Sequence, residues 1–262
     1  MEAAGAVFLP AAGRRYDKVD YIAERGYYWS ATKYDNGHSH CLQFLSDKAI
    51  MSNSTRYYGR SVRLVHDTIL PPPVPEYVDL GLSVKWATFN VGARAPEYYG
   101  DYFAWGETEP KEEYSWATYK WYDGTTNNIT KYNKTDSLTT LEPEDDVAHV
   151  HWGDKWRIPT KEEVQELIDS CQWERTTVNE VRGNTVTGPN GNSIFIPLAG
   201  SYNSFDNQLH SIGTTGWLYS STKSGSTNAM EINMGHGGAT ATSCSKCLGL
   251  NIRPVYDDNS EQ

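Results

Sequence analysis

The stretch Gly216–Lys223, GWLYSSTK, decides how this sequence is interpreted, because Gly26–Lys33 reads GYYWSATK. Recurrence of this kind indicates duplicated structural units, which must be recognised before a fold is assigned. Two further pairs of segments recur in the same order, and they are residues 7–13 with 194–200 and residues 61–65 with 251–255. The chain therefore contains two copies of one pattern.

The two copies differ in completeness. The first pair of segments is 187 residues apart and the other two are 190 apart, so one length change of three residues explains the difference. Residues 77–193 precede the second copy and have no counterpart before the first. We therefore interpret residues 1–67 as the rear half of a unit and residues 77–257 as a complete unit, with a tail at residues 258–262.

A proline-rich stretch separates the copies. Residues 68–76 read TILPPPVPE, a composition that favours extended polyproline geometry and a semi-rigid spacer. We predict a domain boundary there. Since about 60 residues rarely cover an apolar core alone, we expect the rear half to pack against the complete unit. Completion by another chain and a poorly folded remnant are the alternatives.

The composition is that of an acidic globular protein. Of the 262 residues, 38% are hydrophobic and 13% aromatic, and the formal net charge is -10. Without a run of Lys and Arg to neutralise phosphates, we expect no nucleic-acid partner. No apolar run approaches the ~20 residues of a membrane-spanning helix. The first residues lack the basic and apolar regions of a signal peptide.

One helix is clearly encoded. Thr160 is a favourable N-cap and Glu163, three residues later, completes a capping box. The apolar residues that follow share one helical face, and they are Val164, Leu167, Ile168 and Cys171.

Short strands are predicted elsewhere. Runs rich in aromatic and β-branched residues are bounded by turn residues at 83–89, 101–105, 193–197, 217–221 and 229–234. Gly188–Gly191, GPNG, predicts the tip of a hairpin. The expected class is α+β with few helices, short mainly antiparallel strands and long loops.

The motifs of the complete unit occur in a distinctive order. WRIPT at residues 156–160 is followed by Glu163, then by GWLYSSTK, and IRPV closes the unit at residues 252–255. This order resembles the Fibrobacter succinogenes major paralogous domain family, as does the opening YVDLGLSVKWA at residues 77–87. The resemblance implies a C-type lectin-like fold, a relationship to formylglycine-generating enzymes, and a bacterial extracellular or cell-surface location.

The same resemblance implies that Lys223–Leu250 forms an exposed face on a fixed scaffold. Small polar residues dominate this segment and suit adaptable hydrogen bonding. We expect four buried strand anchors, Ala229, Met230, Ile232 and Met234. The residues expected to contact a protein or glycan ligand are Ser224, Ser226, Thr227, Asn228, Glu231, Asn233, His236, Thr240 and Thr242. The alternative is a solvated loop without a ligand.

Catalysis is not expected. The formylglycine-generating relatives are oxidases that hold copper with a cysteine pair, whereas Cys244 and Cys247 lie closer to the last strand and have a different spacing. We predict two loop thiols, no metal and no cofactor. A copper- or iron-dependent oxidase is the rival hypothesis, and a structural or fimbria-associated adhesin component is a third.

Two polar groups receive structural interpretations. His149 and His151 alternate as on one face of a strand and could bind a metal with Asp145 or Asp146. More simply, the aspartates cap a turn or brace the WRIPT segment. The acidic cluster Glu142, Glu144, Asp145 and Asp146 could hold a hard cation weakly. No calcium site is predicted, because these residues precede the helix, unlike those of calcium-dependent lectins.

Aromatic residues before the acidic cluster could stack on sugar rings. They are Tyr98, Tyr99, Trp116, Tyr119, Trp121 and Tyr122. We expect them instead to pack in the core or between loops.

Overall fold

The computed structural model describes residues 8–64, 73–124, 128–235 and 238–258, and the chain divides into a first unit, Met1–Pro71, and a second unit, Pro72–Gln262. The division falls within the proline-rich stretch. Every pair of neighbouring strands in the described residues is antiparallel. The architecture is mostly antiparallel sheet with few helices, which is consistent with the predicted α+β class.

The first unit contains a three-stranded sheet of order β3-β4-β5 and a short β1-β2 pair. Their bounds are β1 Arg14–Arg15, β2 Val19–Asp20, β3 Gly26–Lys33, β4 His38–Phe44 and β5 Ala49–Thr55. Arg60 organises the interior, because its guanidinium lies 4.6 Å from the ring centre of Tyr27 and 5.0 Å from that of Trp29. Its Nη1 also donates to Sγ of buried Cys41.

The second unit contains the remaining strands and both α-helices. The strands are β6 Tyr77–Val78, β7 Lys85–Ala87, β8 Trp156–Arg157, β9 Gln172–Val178, β10 Val181–Thr187, β11 Ser193–Pro197, β12 Ser201–Tyr202, β13 Leu209–His210, β14 Gly216–Ser224, β15 Asn228–Gly235, β16 Gly238–Ser245 and β17 Val255–Tyr256. The helices are α1 Val147–Trp152 and α2 Lys161–Ser170, with single 3-10 turns at Trp116–Thr118 and Pro143–Asp145. The sheets have the orders β6-β7-β17-β8, β11-β10-β9, β14-β15-β16 and β12-β13.

The repeated segments have the same structure in both units. In the first unit, parallel bridges join Gly13 to Gly26 and Tyr28 to Ser61; in the second, equivalent parallel bridges are present, Gly200 to Gly216 and Leu218 to Asn251. The pairing register shifts between Trp29 and Lys33 and, at the same place, between Tyr219 and Lys223. We call residues 77–193 of the second unit its front portion and residues 194–257 its rear portion.

One glycine in each unit explains part of this recurrence. Gly13 and Gly200 have φ values of +70° and +72°, and a Cβ at either position would lie 2.1 Å from a backbone oxygen, that of Asp20 or His210. Only glycine tolerates both the left-handed backbone and such a close approach. The two PxAG segments of the sequence, Pro10–Gly13 and Pro197–Gly200, therefore mark the same tight crossing.

Helix α2 confirms the predicted capping box. The Thr160 hydroxyl accepts from Glu163 N at 3.3 Å, and the Glu163 carboxylate accepts from Thr160 N at 2.8 Å. Val164 and Leu167 are fully buried and Ile168 partly so, in a core shared with the β14-β15-β16 sheet. This helix fixes one face of the sheet from which the candidate site projects.

Several local predictions can be compared with the structure. The hairpin predicted around Gly188–Gly191 is present, joining β10 to β11. Residues 101–105 are not a strand; a single bridge, Phe103 to Leu250, is formed there. His149 and His151 lie in α1 rather than on a strand, because the Asp146 carboxylate caps this helix by accepting from Ala148 N and His149 N.

Candidate functional site

A polar groove opens in the second unit between the β14–β15 turn and the segment 128–135. Its volume is about 610 Å³. The residues that line it are Asn128, Ile129, Asn133, Lys134, Thr135, Ser224, Gly225, Ser226, Thr227 and Asn228. Four of the residues predicted to contact a ligand therefore lie together along one wall, which we call the turn wall.

The turn wall presents unused hydrogen-bonding groups. Gly225 has a φ of +79°, and the chain reverses there between β14 and β15. Ser224, Ser226, Thr227 and Asn228 are half-buried, and their side chains make no hydrogen bond to any residue that the structure describes. Their hydroxyl and amide groups are therefore available to a ligand.

The opposite wall, residues 128–135, is held by Asn133. Its side-chain oxygen accepts from the backbone N–H groups of Thr135 and Asp136 at 2.8 and 3.1 Å. Its amide nitrogen donates to Ile129 O at 3.0 Å, and Ile129 itself is buried. Sequence reasoning missed this wall. The Asn- and Thr-rich composition of the segment was a signal for a turn, but nothing local indicated that it faces residues 224–228.

Two lysines tie the walls together. The Nζ of Lys246 donates to Tyr132 O at 3.0 Å and to Ser226 O at 2.8 Å. The Nζ of Lys223 donates to Asn133 O at 2.6 Å and lies 3.5 Å from Asp136 Oδ1. The spacing between the walls is therefore set by cations that bond to backbone carbonyls on both sides.

Lys246 is unusual because it is fully buried. Burial, together with the nearby charge of Lys223, lowers the pKa of Lys246 to about 8. Its ammonium lies 4.6 Å from the ring centre of Trp105, a cation–π contact that favours the charged form. Near neutral pH the ammonium is therefore charged, and it joins the two walls at the base of the groove.

The other predicted ligand contacts lie away from the groove. Asn233 and Thr240 are paired across β15 and β16, about 17 Å along the strand from Asn228. Glu231 was predicted to be available, but it is only 4% exposed and accepts from Thr242 Oγ1 at 2.9 Å. Glu231 is paired with Tyr219 across β14 and β15. It lies on the sheet face that packs against a buried cluster rich in aromatic side chains, to which Tyr219 belongs.

Three further predictions for this segment have mixed outcomes. His236 lies outside the described residues. Ala229, Ile232 and Met234 are buried as expected, whereas Met230 is only half-buried. Thr242 is exposed, although its hydroxyl bonds to Glu231. The predicted surface is therefore two separate patches, of which only the turn wall borders a cavity.

Of the two cysteines predicted to be loop thiols, Cys247 lies in the turn that follows β16, whereas Cys244 does not lie in a loop. Cys244 lies in β16 and is half-buried, Cys247 is fully buried, and both are free. Burial raises the pKa of each thiol, which opposes formation of the thiolate that binds metals. No group of three metal-binding side chains in the described part of the chain includes either cysteine.

The acidic cluster holds an internal cation. The ligand oxygens of Glu142, Glu144 and Asp145 lie within 4.8 Å of one another. The Lys131 ammonium lies among them, 2.5 Å from Glu142 Oε2, 3.5 Å from Glu144 Oε1 and 2.6 Å from Asp145 Oδ2. Lys120 also pairs with Asp145, at 2.8 Å. A metal ion would have to displace an ammonium from this cluster.

A second cavity, of about 560 Å³, is bordered by Asp146, His149 and Arg157. Its charged groups serve the fold. The Asp146 carboxylate caps α1 by accepting from its first N–H groups, and it also accepts from Ile158 N at 2.7 Å. Arg157 pairs with Glu163 and Asp257, at 2.5 and 3.1 Å. The Nε2 of His149 lies 3.6 Å from Oδ1 of Asp154.

The aromatic residues considered for sugar stacking mostly pack inward. Tyr119 and Trp121 are buried, and Trp116 and Tyr122 are packed against the same core. Tyr99 is half-buried, and Tyr98 is 55% exposed. None of these rings borders the polar groove.

Comparison with known protein families, curated proteins and solved structures finds no match for this chain. Among the helices that the structure describes, none has the length and apolar character needed to cross a membrane.

Proposed function

We propose that the second unit binds a glycan, without catalysis, in the polar groove. The observation that carries this proposal is the turn wall, where four adjacent hydroxyl and amide side chains have no partner in the described residues. Sugars present many hydroxyl groups, each of which donates and accepts, and such groups match serine, threonine and asparagine side chains. Recognition would rest on hydrogen bonds rather than on ring stacking.

The chemistry of the groove supports binding rather than turnover. Among the described residues, ten line the groove; they include no carboxylate, histidine or cysteine, and the ammonium of Lys134 is their one titratable side chain. General acid–base and nucleophilic mechanisms need a paired acid, base or thiolate in contact with substrate. The raised pKa values of Cys244 and Cys247 likewise argue against the oxidase hypothesis.

The proposed context is a C-type lectin-like domain at the bacterial cell surface. Support comes from the motif order described above and from the mostly antiparallel architecture with few helices. In this interpretation α2 and the β14-β15-β16 sheet are the rigid scaffold, and the β14–β15 turn is the variable contact element.

A glycan array, followed by calorimetry on any hit, tests this proposal. The triple variant Ser226→Ala, Thr227→Ala, Asn228→Ala removes hydrogen-bonding groups from the turn wall without changing a backbone contact. Since each lost hydrogen bond weakens binding by roughly 0.5–1.5 kcal/mol, we expect the affinity to fall by at least tenfold.

The matched control is the double variant Asn233→Ala, Thr240→Ala, which removes polar side chains from the same sheet outside the groove. We expect it to bind as the unaltered chain does. Equal loss in both variants, or a ligand retained by the triple variant, would exclude the groove. Capture of a protein but no glycan through the turn wall would replace the proposed ligand class.

A further inference from the structure

The rear portion of the second unit holds the front portion along one edge of β14. Leu141 N donates to Ser221 O at 3.0 Å, and Ser221 N donates to Pro159 O at 2.8 Å. Lys223 N donates to Thr139 O at 2.9 Å. The second half of β14 thus accepts an extended segment of the front portion as an added strand.

Strand β3 of the first unit presents the same edge. Ala31 and Lys33 are the equivalents of Ser221 and Lys223 and lie at the same register shift. A hydrogen bond from the backbone to a serine side chain also recurs at the register shift. Thr32 N donates to Ser30 Oγ at 3.1 Å, and Thr222 N donates to Ser220 Oγ at 3.2 Å. The backbone of β3 is therefore already shaped to receive an added strand.

In the first unit this edge is open. Ala31, Thr32 and Lys33 are exposed, and β3 ends the strand order of its sheet in the described residues. An exposed strand edge carries unpaired N–H and C=O groups that favour pairing with another strand.

Apolar side chains beside the edge are exposed where their equivalents are buried. Val62 is 64% exposed, whereas its equivalent Ile252 is 2% exposed. Leu64 is 88% exposed, and its equivalent, Pro254, is buried. In the second unit Ile252 O accepts from Val91 N, a residue of the front portion. The exposed apolar surface of the first unit is thus the surface that a front portion covers in the second.

The opposite face of the sheet shows the same difference. Met51 is 65% exposed, whereas its equivalent, Ala241, packs in the core that α2 shares with β16. Both α2 and the strand-adding segment belong to residues 77–193. One occupant with both features would cover both faces.

We propose that the outer edge of β3, together with Val62, Leu64 and Met51, is a docking surface for a front portion, meaning a polypeptide segment built like residues 77–193. Its equivalents of Thr139–Leu141 add a strand to Ala31–Lys33, a recognised mode of peptide binding. A second folded copy of this chain does not provide this segment, because its own residues 139–141 and 159 are already bonded to β14. This surface is distinct from the polar groove.

The test adds a copy of residues 77–193 directly before Val7 of the full chain and follows amide hydrogen exchange by NMR. We expect the amides of Ala31 and Lys33 to exchange about tenfold or more slowly in the fusion than in the unaltered chain. The amides of Ser221 and Lys223 serve as the internal control and should be unchanged, which shows that the native front portion is not displaced.

Two variants of the fusion make the result specific. Leu141→Pro in the added copy removes the donor that would pair with Ala31 O, and Val62→Asp with Leu64→Asp changes side chains that are exposed in the first unit. Each should abolish the protection, and the second leaves the added copy intact. Unchanged exchange at Ala31 and Lys33 in the fusion overturns the proposal. So does equal protection in the unaltered chain if sedimentation shows it to be a dimer.

Discussion

Lys246 is fully buried, and its ammonium joins the carbonyl oxygens of Tyr132 and Ser226 across the base of the polar groove. Replacing this side chain by an apolar one would leave two backbone acceptors without their donor, in a place that water does not reach. Its equivalent in the first unit, Arg56, makes comparable bonds to backbone carbonyls but is exposed. The cation at this position of the repeat therefore bonds to backbone carbonyls in both units, but only Lys246 does so while buried.

Lys246→Met is expected to lower the free energy of unfolding of the second unit by roughly 2–4 kcal/mol, because buried unpaired acceptors are costly. Urea denaturation followed by tryptophan fluorescence measures this, since eight of the nine tryptophans, all but Trp29, lie in the second unit. Arg56→Met is the control and should cost the first unit, followed by circular dichroism, about 1 kcal/mol or less. Equal effects would contradict a special role for the buried ammonium.

The pH dependence of stability gives a second check on Lys246. The pKa of Lys246 is about 8 in the folded chain, whereas the usual value for a lysine, taken for the unfolded chain, is 10.5. Between those values the unfolded chain binds a proton that the folded chain does not, so stability rises with pH. We expect the unaltered chain to gain about 2 kcal/mol between pH 8 and pH 10 relative to Lys246→Met. Parallel pH profiles for the two proteins would refute this assignment.

At the scale of elements, α2 depends on its capping box and on one ion pair. Glu163 accepts from Thr160 N and also receives Nη1 and Nη2 of Arg157, at 2.8 and 2.5 Å. Burial alone would raise the pKa of Glu163, but its bonds to Arg157 and Thr160 hold that pKa below its usual value. One side chain thus joins the start of the helix to β8.

Glu163→Ala should therefore cost more than loss of the cap alone. We expect a loss of about 2–3 kcal/mol, because Arg157 is left without its main partner, against about 1 kcal/mol for Thr160→Ala. Glu162→Ala, one residue away and exposed, should be within about 0.5 kcal/mol of the unaltered chain. Thermal unfolding of the three variants gives the comparison. A loss no larger for Glu163→Ala than for Thr160→Ala would show that the ion pair adds nothing.

Elements with local determinants were the ones predictable from sequence. The capping box of α2 and the hairpin at Gly188–Gly191 need only neighbouring residues, and both are present. Helix α1 has only six residues and begins after its cap, Asp146. Because it is so short, the spacing of its two histidines was also compatible with a strand. The wall at residues 128–135 faces a turn about 90 residues later in the chain, a pairing that no local pattern encodes.

At the scale of the whole second unit, Arg253 connects the front and rear portions. It is fully buried, and its guanidinium donates to Asn90 Oδ1 at 2.8 Å and to Ala87 O and Phe195 O at 3.0 Å. The equivalent in the first unit, Arg63, is exposed. The repeat was visible in the sequence, but the difference in burial between these arginines was not, because it depends on what covers each copy.

Arg253→Met is expected to destabilise the second unit by about 3 kcal/mol or more, since three buried acceptors lose their donor at once. The control is Arg63→Met, the same substitution at the equivalent exposed position, for which we expect a change within about 0.5 kcal/mol. Urea denaturation with fluorescence and circular dichroism measures both. A large effect of Arg63→Met would show that the first unit is more fully covered than its exposed surface indicates.

The turn that links β14 to β15 has a consequence for how such a protein diversifies. The side chains of Ser224, Ser226, Thr227 and Asn228 make no hydrogen bond within the described fold. The two walls of the groove are joined by Lys223 and Lys246, which bond to backbone carbonyls and not to these four side chains. Substitutions at these four positions should therefore have little effect on the stability of the fold. Under the proposed glycan binding, new specificities would arise at this position without first requiring a more stable ancestor.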